Sequence, residues 1–216
     1  MAGAISAIAL LALPTLGSNR TRSERLVCVN NLRQIGMALQ VWGDSHNDEK
    51  PWRITPADGG TSGHALAVNA WFHFVAASNE LNPKVLVCPS DLGARTATDW
   101  SAQQGGFLNP GYRANALSYF VAGHADLAHP SSWVSGDRNL TGFTSGQGCA
   151  FLTAATVAAG ITASISPPIQ WTSAIHNTEG NLLLNSGQVL QLRSSALMKS
   201  VTNSLWLTSD HLLLPR

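Results

Sequence analysis

The fold is decided by the segment Leu26-Val-Cys-Val-Asn-Asn-Leu-Arg-Gln-Ile-Gly-Met-Ala-Leu-Gln-Val-Trp42. Its apolar residues recur at steps of four and three, which is the spacing of one face of an α-helix. Polar residues such as Arg33 and Gln34 lie largely off that face. We expect the apolar stripe to pack on a globular head, and its members are Cys28, Leu32, Ile35, Leu39 and Trp42.

An uncharged apolar run, Ala2 to Leu16, precedes this segment and continues the helical pattern. A helix over residues 3–43 would be about 60 Å long. Pro14 is expected to bend it, because proline lacks an N–H and clashes with the preceding turn. The sequence thus predicts an N-terminal helix over 1–43 and a head over 44–216; the alternative is an amphipathic core helix after an unstructured tail. The residues expected to face lipid or neighbouring helices are Ile5, Ile8, Leu11, Leu13, Pro14 and Leu16.

The apolar run does not match a secretory signal, which needs a basic region before its apolar core. Here the basic cluster of Arg20, Arg22 and Arg25 comes after the run. The run is also shorter than the roughly 20 apolar residues of a complete membrane crossing. Both features would be explained if the natural protein began several residues upstream of Met1. The basic cluster could contact lipid headgroups or an acidic residue of a neighbouring subunit. A solvated helix turn explains it equally well.

Composition excludes several classes of function. Charged residues make up 12% of the 216 residues, about half the usual share. The net charge of +1 leaves no electrostatic footprint for nucleic acid. No nucleophile elbow, His-Glu-x-x-His, phosphate loop or Cys-x-x-Cys motif occurs in the sequence. We therefore predict no enzyme activity, no catalytic residue, no cofactor and no nucleic-acid partner.

One loop gathers four residues of the metal-ligating types, namely Asp44, His46, Asp48 and Glu49. Their spacing does not match a calcium-binding loop, so a solvated polar loop is the favoured interpretation. Asp137 and Arg138 are interpreted as an ion pair that braces a turn, with cation binding or an intersubunit contact as the alternative. His176 is expected to be a structural histidine that ties a turn. Metal binding is left open.

The three cysteines, Cys28, Cys88 and Cys149, permit three single pairings and always leave one over. A bond between Cys88 and Cys149 is one hypothesis. Cys28 lies on the apolar stripe and fits a buried free thiol as well as a bonded one.

The head is expected to be α+β. Helical spacing predicts a second helix over 68–81, and β-rich composition predicts short strands over 84–88, 117–122 and 132–135. Residues 92–115 are expected to form a long loop, and 150–165 fits helix, strand or loop. Two strands over 181–184 and 188–192 should form a hairpin, because Gly187 supplies the positive φ of its turn. Next, a helix is predicted that is capped by Ser194 or Ser195 and runs to Asn203. The apolar segments 205–207 and 212–214 close the chain, and we expect them to form an edge strand.

The segment from Cys28 to Gln40 resembles the hallmark that follows the N-terminal helix in bacterial type IV pilin-like proteins, above all the type II secretion pseudopilin-like group. Four later segments match the same family in the same order. They are Val87-Cys-Pro-Ser-Asp91, Leu117-Ser-Tyr-Phe-Val-Ala-Gly123, Val134-Ser-Gly-Asp-Arg-Asn-Leu140 and Ile175-His-Asn-Thr-Glu-Gly-Asn-Leu-Leu-Leu-Asn-Ser-Gly-Gln-Val189. The residues that carry these motifs are Cys88, Asp137, Arg138, Asn139, His176, Asn181 and Gly187.

The chain departs from this family in two places. Family members begin with a basic leader, a cleavage point, a phenylalanine and a glutamate, and aligning Pro14 on the family's helix proline puts that glutamate upstream of Met1. The late motif usually contains Ala-Asp-Gly, whereas this chain has Asn185-Ser186-Gly187. Any role of that aspartate in metal binding or hydrogen bonding is therefore not carried over.

The resemblance implies a pilin-like fold, a long N-terminal helix packed on a small antiparallel sheet. It implies a structural subunit of a pilus-like or pseudopilus filament, with self-association or related pilin subunits as partners. The subunit would lie in the inner membrane before assembly, with a periplasmic head, or in a cell-surface filament. The alternative is a membrane-anchored periplasmic or extracellular binding module. That module could recognise carbohydrate, since seven tryptophans are present and tryptophan stacks on sugar rings.

Overall fold

The computed structural model describes residues 2–63, 70–123, 128–142, 144–145, 161–162, 169–203 and 211–215. These residues form a mixed α+β structure with a long N-terminal helix and an antiparallel sheet. The helices are α1 (Ala2–Asp44), α2 (Ala70–Val75) and α3 (Ser194–Asn203). The strands are β1 (Tyr119–Ala122), β2 (Trp133–Asp137), β3 (Leu140–Thr141), β4 (Thr144–Ser145), β5 (Ile161–Thr162), β6 (Gln170–Trp171), β7 (Glu179–Leu184), β8 (Val189–Arg193) and β9 (His211–Leu213).

Helix α1 is continuous through Pro14, and its second half lies against the head. It approaches β7 closely at Gly36, where a Cβ atom would lie 3.1 Å from the Leu183 side chain. A glycine at this position lets the helix backbone come near the sheet, which brings the flanking apolar residues into the core. No helix among the described residues combines the length and the apolar character that a membrane crossing requires.

Within the described residues the main sheet has seven strands in the order β4-β5-β9-β1-β2-β7-β8, and their pairings are antiparallel. A separate two-stranded sheet joins β3 to β6. The central strands β1 and β2 are buried along their whole length. Alternate residues of a strand point to opposite sides of the sheet, so both faces of these strands must be covered. In β1, Tyr119 and Val121 join the core shared with α1 and α2. Phe120 and Ala122 join a second core with α3 and β6.

Several predicted elements are confirmed. Strands β1 and β2 lie within or beside the predicted segments. The hairpin of β7 and β8 turns at Gly187, which has a φ of 80°. Helix α3 runs from Ser194 to Asn203, which agrees with its predicted extent. Ser194 is itself the first helical residue, and its Oγ accepts a hydrogen bond from the Trp171 N–H of β6.

Other predictions are wrong. The segment expected as a strand over 84–88 contains a 3-10 helix, Pro83–Leu86, because proline favours the first helical position and Asn82 accepts a hydrogen bond from the Lys84 N–H. The second helix, α2, ends at Val75 instead of 81. The C-terminal strand β9 lies inside the sheet between β5 and β1 and is not an edge strand. Most of 150–165 and all of 205–207 lie outside the described residues.

Candidate functional site at the junction of helix and head

Four buried side chains meet where α1 crosses the head, and we call them the junction cluster. They are Cys28 of α1, Cys88 of the loop after the 3-10 helix, Asp137 at the end of β2 and His176 of the loop before β7. Each of these residues is at most 5% exposed. The cluster therefore joins the N-terminal helix to one strand of the sheet and to two loops of the head.

A disulfide bond joins Cys28 to Cys88 across a sequence separation of 60 residues, with the two Cα atoms 5.1 Å apart. This bond corrects the hypothesis of a Cys88–Cys149 pair and excludes a free thiol at Cys28. The apolar stripe already placed Cys28 against the head, and Cys88 lies on the part of the head that the stripe meets. The bond ties α1 covalently to the head.

Hydrogen bonds on either side of the disulfide strengthen the same contact. Asn31 donates from Nδ2 to the Val87 carbonyl at 3.0 Å. Ser90 donates from Oγ to a carboxylate oxygen of Glu24 at 3.2 Å. Arg25 forms an ion pair with Glu179 and donates to the His176 carbonyl at 3.0 Å. These contacts hold the segment of α1 from residue 24 to residue 31 against the loops of the head.

His176 is presented by an unusual backbone. His176, Asn177 and Thr178 have φ values of 54°, 51° and 65°, so three successive residues other than glycine adopt the left-handed conformation. Such residues each carry conformational strain of about 1–3 kcal/mol and persist only where surrounding contacts hold them. Asn139 supplies those contacts, since its Nδ2 lies 2.9 Å from the Thr172 carbonyl and 2.8 Å from the Ile175 carbonyl.

The imidazole of His176 lies between a sulfur and a carboxylate. Its Nε2 is 3.3 Å from Cys88 Sγ and 3.5 Å from Asp137 Oδ2. Both the His176 and the Asp137 side chains are fully buried. The other nitrogen of the ring, Nδ1, and the other oxygen of the carboxyl group, Oδ1, have no hydrogen-bond partner within the described part of the chain.

Asp137 is held from the other side by Asn181 of β7. Its Oδ2 accepts from the Asn181 backbone N–H at 2.7 Å and from Asn181 Nδ2 at 2.9 Å. The sequence predicted an ion pair between Asp137 and the neighbouring Arg138. Arg138 instead pairs with Asp91, at 2.7 Å between Nε and Oδ2. Asp137 is the last residue of β2 and is bonded to the neighbouring strand through Asn181, whereas Arg138 lies beyond the strand and reaches Asp91, so the predicted pair is wrong.

Burial changes the protonation of both ionisable groups in the junction cluster. It raises the pKa of the Asp137 carboxyl from 3.8 to about 7, against the opposing effect of the hydrogen bonds from Asn181. It lowers the pKa of the His176 imidazole from 6.5 to about 4, and the nearby charge of Arg25 acts in the same direction. At neutral pH the imidazole is therefore uncharged, and the contact with Asp137 is not a salt bridge between two full charges.

For Asp137→Asn we predict a pH-dependent difference from the wild type. The free energy of unfolding of the variant minus that of the wild type should increase as the pH rises from about 4 to about 7. The folded wild type holds its carboxyl proton more tightly than the unfolded chain does, so its stability falls over this window. The difference in the free energy of unfolding should change by up to about 1.4 kcal/mol per pH unit and level off above pH 7. Urea titrations of the disulfide-bonded protein at several pH values measure it.

His176→Gln provides the control of opposite sign. The folded wild type does not take up the imidazole proton above a pH of about 4, whereas the unfolded chain does below 6.5. Wild-type stability gains from His176 as the pH rises through this window, and the glutamine variant lacks that gain. A pH-independent difference for both variants would show that neither group has the inferred environment.

The loop that was considered for metal binding does not assemble a site. His46 stacks on Trp42 with ring centroids 3.7 Å apart, and Glu49 pairs with Arg53 at 2.6 Å. Within the described residues, one group of three or more His, Cys, Asp or Glu side chains brings its ligand atoms within 4.8 Å of one another, and it is Cys28, Cys88 and His176. Donor atoms therefore converge at the junction cluster and not at the loop.

Most of the motif residues selected from the sequence lie in or beside the junction cluster. Cys88, Asp137 and His176 belong to it, Asn181 binds Asp137, and Asn139 holds the loop of His176. Gly187 lies away from it, at the hairpin turn. Sequence reasoning missed Cys28 as the bonded partner and Arg25 as the partner of Glu179. The position of Cys28 on the apolar stripe was the available signal for the first.

The apolar stripe predicted to face the head does so. Its members lie in the core and are at most 6% exposed: Cys28, Leu32, Ile35, Leu39 and Trp42. The predicted lipid- or neighbour-facing residues belong to α1, and their side chains lie outside what the structure describes: Ile5, Ile8, Leu11, Leu13, Pro14 and Leu16.

A second apolar stripe of α1 faces away from the head, and we call it the outer stripe. It consists of Leu26 (53% exposed), Val27 (42%), Met37 (60%) and Val41 (56%). At 3.6 residues per turn, its centre lies roughly 150° around the helix from the centre of the buried stripe. The side of α1 that faces away from the head therefore carries two exposed apolar groups, Leu26 with Val27 and Met37 with Val41, and the exposed residues Asn30, Arg33 and Gln34 lie between them.

No protein-family model, curated protein or solved structure matches this chain.

Proposed function

We propose that this chain is a structural subunit that assembles with copies of itself, or with related subunits, through α1, as pilin-like and pseudopilin-like proteins do. The two-sided character of α1 carries the proposal. The head covers the buried stripe, and Leu26, Val27, Met37 and Val41 remain exposed on the outer stripe. A helix that served its own head alone would need one apolar side.

The connection between α1 and the head supports the same proposal. A subunit that transmits load through a helix needs that helix to be fixed to its globular part. The disulfide bond, the ion pair of Arg25 with Glu179 and the hydrogen bond of Asn31 all lie at this connection. The junction cluster is thus interpreted as a structural element, in keeping with a subunit that is not an enzyme.

Two modes of assembly are open to the outer stripe. Packing of the stripe on the same stripe of a second copy would close as a dimer, whereas packing on a different part of the next copy is heterologous and produces an open helical polymer. We propose the heterologous mode, as in pilin-like filaments. Burying several hundred Å² of apolar surface per helix would contribute on the order of 10 kcal/mol at about 25 cal/mol per Å². The apolar residues from Ala2 to Leu16 would extend the contact surface, and before assembly they would associate with the inner membrane, leaving the head in the periplasm.

The alternative of a carbohydrate-binding module has no observation in its favour. Among the six tryptophans that the structure describes, Trp42, Trp52, Trp133 and Trp171 are buried in the cores, and Trp71 and Trp100 are half-buried. They plug separate parts of the fold and do not form an exposed platform on which a sugar ring could stack.

The proposal is tested by sedimentation velocity of the full chain over a wide range of concentration, after removal of detergent. We expect an open series of species whose average mass grows with concentration. A chain that stays monomeric at every concentration, with and without detergent or lipid, would contradict the proposal.

A further inference from the structure

We propose that the junction cluster is a zinc site in the reduced protein, with Cys28, Cys88, His176 and Asp137 as ligands. The inference does not depend on the proposed assembly of the chain. In the oxidised protein the disulfide bond joins α1 to the head, and in the reduced protein a Zn²⁺ ion joins the same two parts.

The distances between the candidate ligand atoms support this assignment. Two ligands on one tetrahedral Zn²⁺ lie roughly 3.3–3.8 Å apart, given ligand bonds of about 2.0–2.3 Å. His176 Nε2 is 3.3 Å from Cys88 Sγ and 3.5 Å from Asp137 Oδ2. The sulfur of Cys28 lies within 4.8 Å of both other ligand atoms of the cysteine and histidine group. Asp137 lies outside that group and is close to the histidine alone, so its carboxylate has to move toward the sulfurs to become the fourth ligand. Breaking the sulfur–sulfur bond allows the two sulfurs to separate to the same spacing.

The chemistry of the ligands favours zinc over harder cations. Thiolate and imidazole are the donors that Zn²⁺ prefers in closed structural sites, and calcium and magnesium take oxygen donors. The donors come from α1, β2 and two loops of the head, so one ion would hold several separate elements together. A structural zinc site needs this full burial and this closed set of ligands.

The surroundings orient one ligand and place a cation near the site. Asn181 donates two hydrogen bonds to Asp137 Oδ2 and so fixes the carboxylate, which is how outer residues orient metal ligands. Two thiolates and one carboxylate on Zn²⁺ leave a net charge of −1, and the Arg25 guanidinium hydrogen-bonds the His176 carbonyl nearby. A surface groove reaches the backbone of His176, whereas its imidazole is fully buried.

The change between the two states balances with a dithiol as reductant. The disulfide bond and the dithiol exchange two electrons and two protons, which yields two cysteine thiols and the oxidised, cyclic disulfide of the reductant. Zn²⁺ then displaces the two thiol protons into water and binds the two thiolates. In the reverse direction the cyclic disulfide accepts two electrons from the two thiolates and two protons from water, which restores the Cys28–Cys88 bond and the dithiol and releases Zn²⁺.

The experiment uses the full chain with Cys149→Ser, so that Cys28 and Cys88 are the only thiols. The protein is reduced with a phosphine, freed of metal, and titrated with Zn²⁺ and with Co²⁺ as a visible probe. We expect one ion per chain, with the thiolate charge-transfer and tetrahedral d–d absorption of Co²⁺. The oxidised protein should bind none. If the reduced, metal-free chain unfolds, stoichiometric Zn²⁺ should restore its circular dichroism.

Variants separate this site from adventitious binding to thiolates. His176→Ala and Asp137→Asn should each lower the affinity of the reduced chain by at least about tenfold. His46→Ala, on the loop that assembles no site, should leave the affinity unchanged. Binding by the reduced chain that is no tighter than by the oxidised chain would overturn the proposal. Equal affinities of the His176→Ala and His46→Ala chains, or failure of Zn²⁺ to refold an unfolded reduced chain, would also overturn it.

Discussion

Replacing Cys28 and Cys88 together with alanine is expected to lower the free energy of unfolding by roughly 4 kcal/mol. The bond closes a loop with a sequence separation of 60 residues, and removing it returns that conformational freedom to the unfolded chain. Alanine is the suitable replacement, because both cysteines are fully buried and serine would add an unpaired hydroxyl group. Urea unfolding in the presence of a metal chelator measures the change.

Loss of the disulfide bond should increase local opening of α1 most at the junction with the head and less along the rest of the helix. Leu32, Ile35 and Leu39 remain packed in the core without the disulfide, so the second half of the helix should stay on the head. Hydrogen exchange should therefore rise around residues 24–31 more than around 32–42. The reference protein and the Cys28→Ala, Cys88→Ala variant both carry Cys149→Ser, so that they differ only in the two bonded cysteines. A loss under about 1 kcal/mol would mean that the bond is not formed in solution.

The double substitution Met37→Glu and Val41→Glu is expected to abolish self-association while leaving the fold intact. Both side chains are more than half exposed in the single chain, so charge at these positions costs the folded subunit little. In an assembly, the same charges would be buried on an apolar contact without partners, which costs several kcal/mol each. We expect the association constant to fall by at least about 100-fold in sedimentation velocity.

A matched control carries the same added charge on the head. Gln103 and Gln104 are exposed on a loop of the head whose backbone pairs within itself, so Gln103→Glu with Gln104→Glu should associate as the wild type does. Equal weakening by both double variants would show a general effect of net charge and not a contact through α1. Unchanged association in the Met37 and Val41 variant would remove the outer stripe from the assembly.

The sequence predicted the helix and its buried stripe well, because a period of 3.6 residues is a local signal. The hairpin at Gly187 was predictable for the same reason, since a turn residue acts on its own backbone. The order of the strands was not predictable. Strand β9 pairs with β1 and β5 by contacts that are distant along the chain, and its apolar residues fit an edge as well as a central position.

The junction cluster was predictable in its members but not in its geometry. Motif comparison selected Cys88, Asp137 and His176, yet nothing local shows that they meet Cys28. The pairing of Arg138 with Asp91 instead of Asp137 could not be predicted locally, because Asp91 lies 47 residues away along the chain. Likewise, the left-handed turn at His176 depends on the carbonyl contacts of Asn139, which lies 36 residues from Ile175 along the chain.

The proposed assembly requires α1 to have two partners, its own head on one side and another subunit on the other. Electron cryo-microscopy of the species that sediment after detergent removal tests this directly. We expect filaments in which α1 lies toward the axis, with Met37 and Val41 against a neighbouring helix and the head outside. Filaments whose contacts are made by the heads alone, with the outer stripe open to solvent, would contradict it.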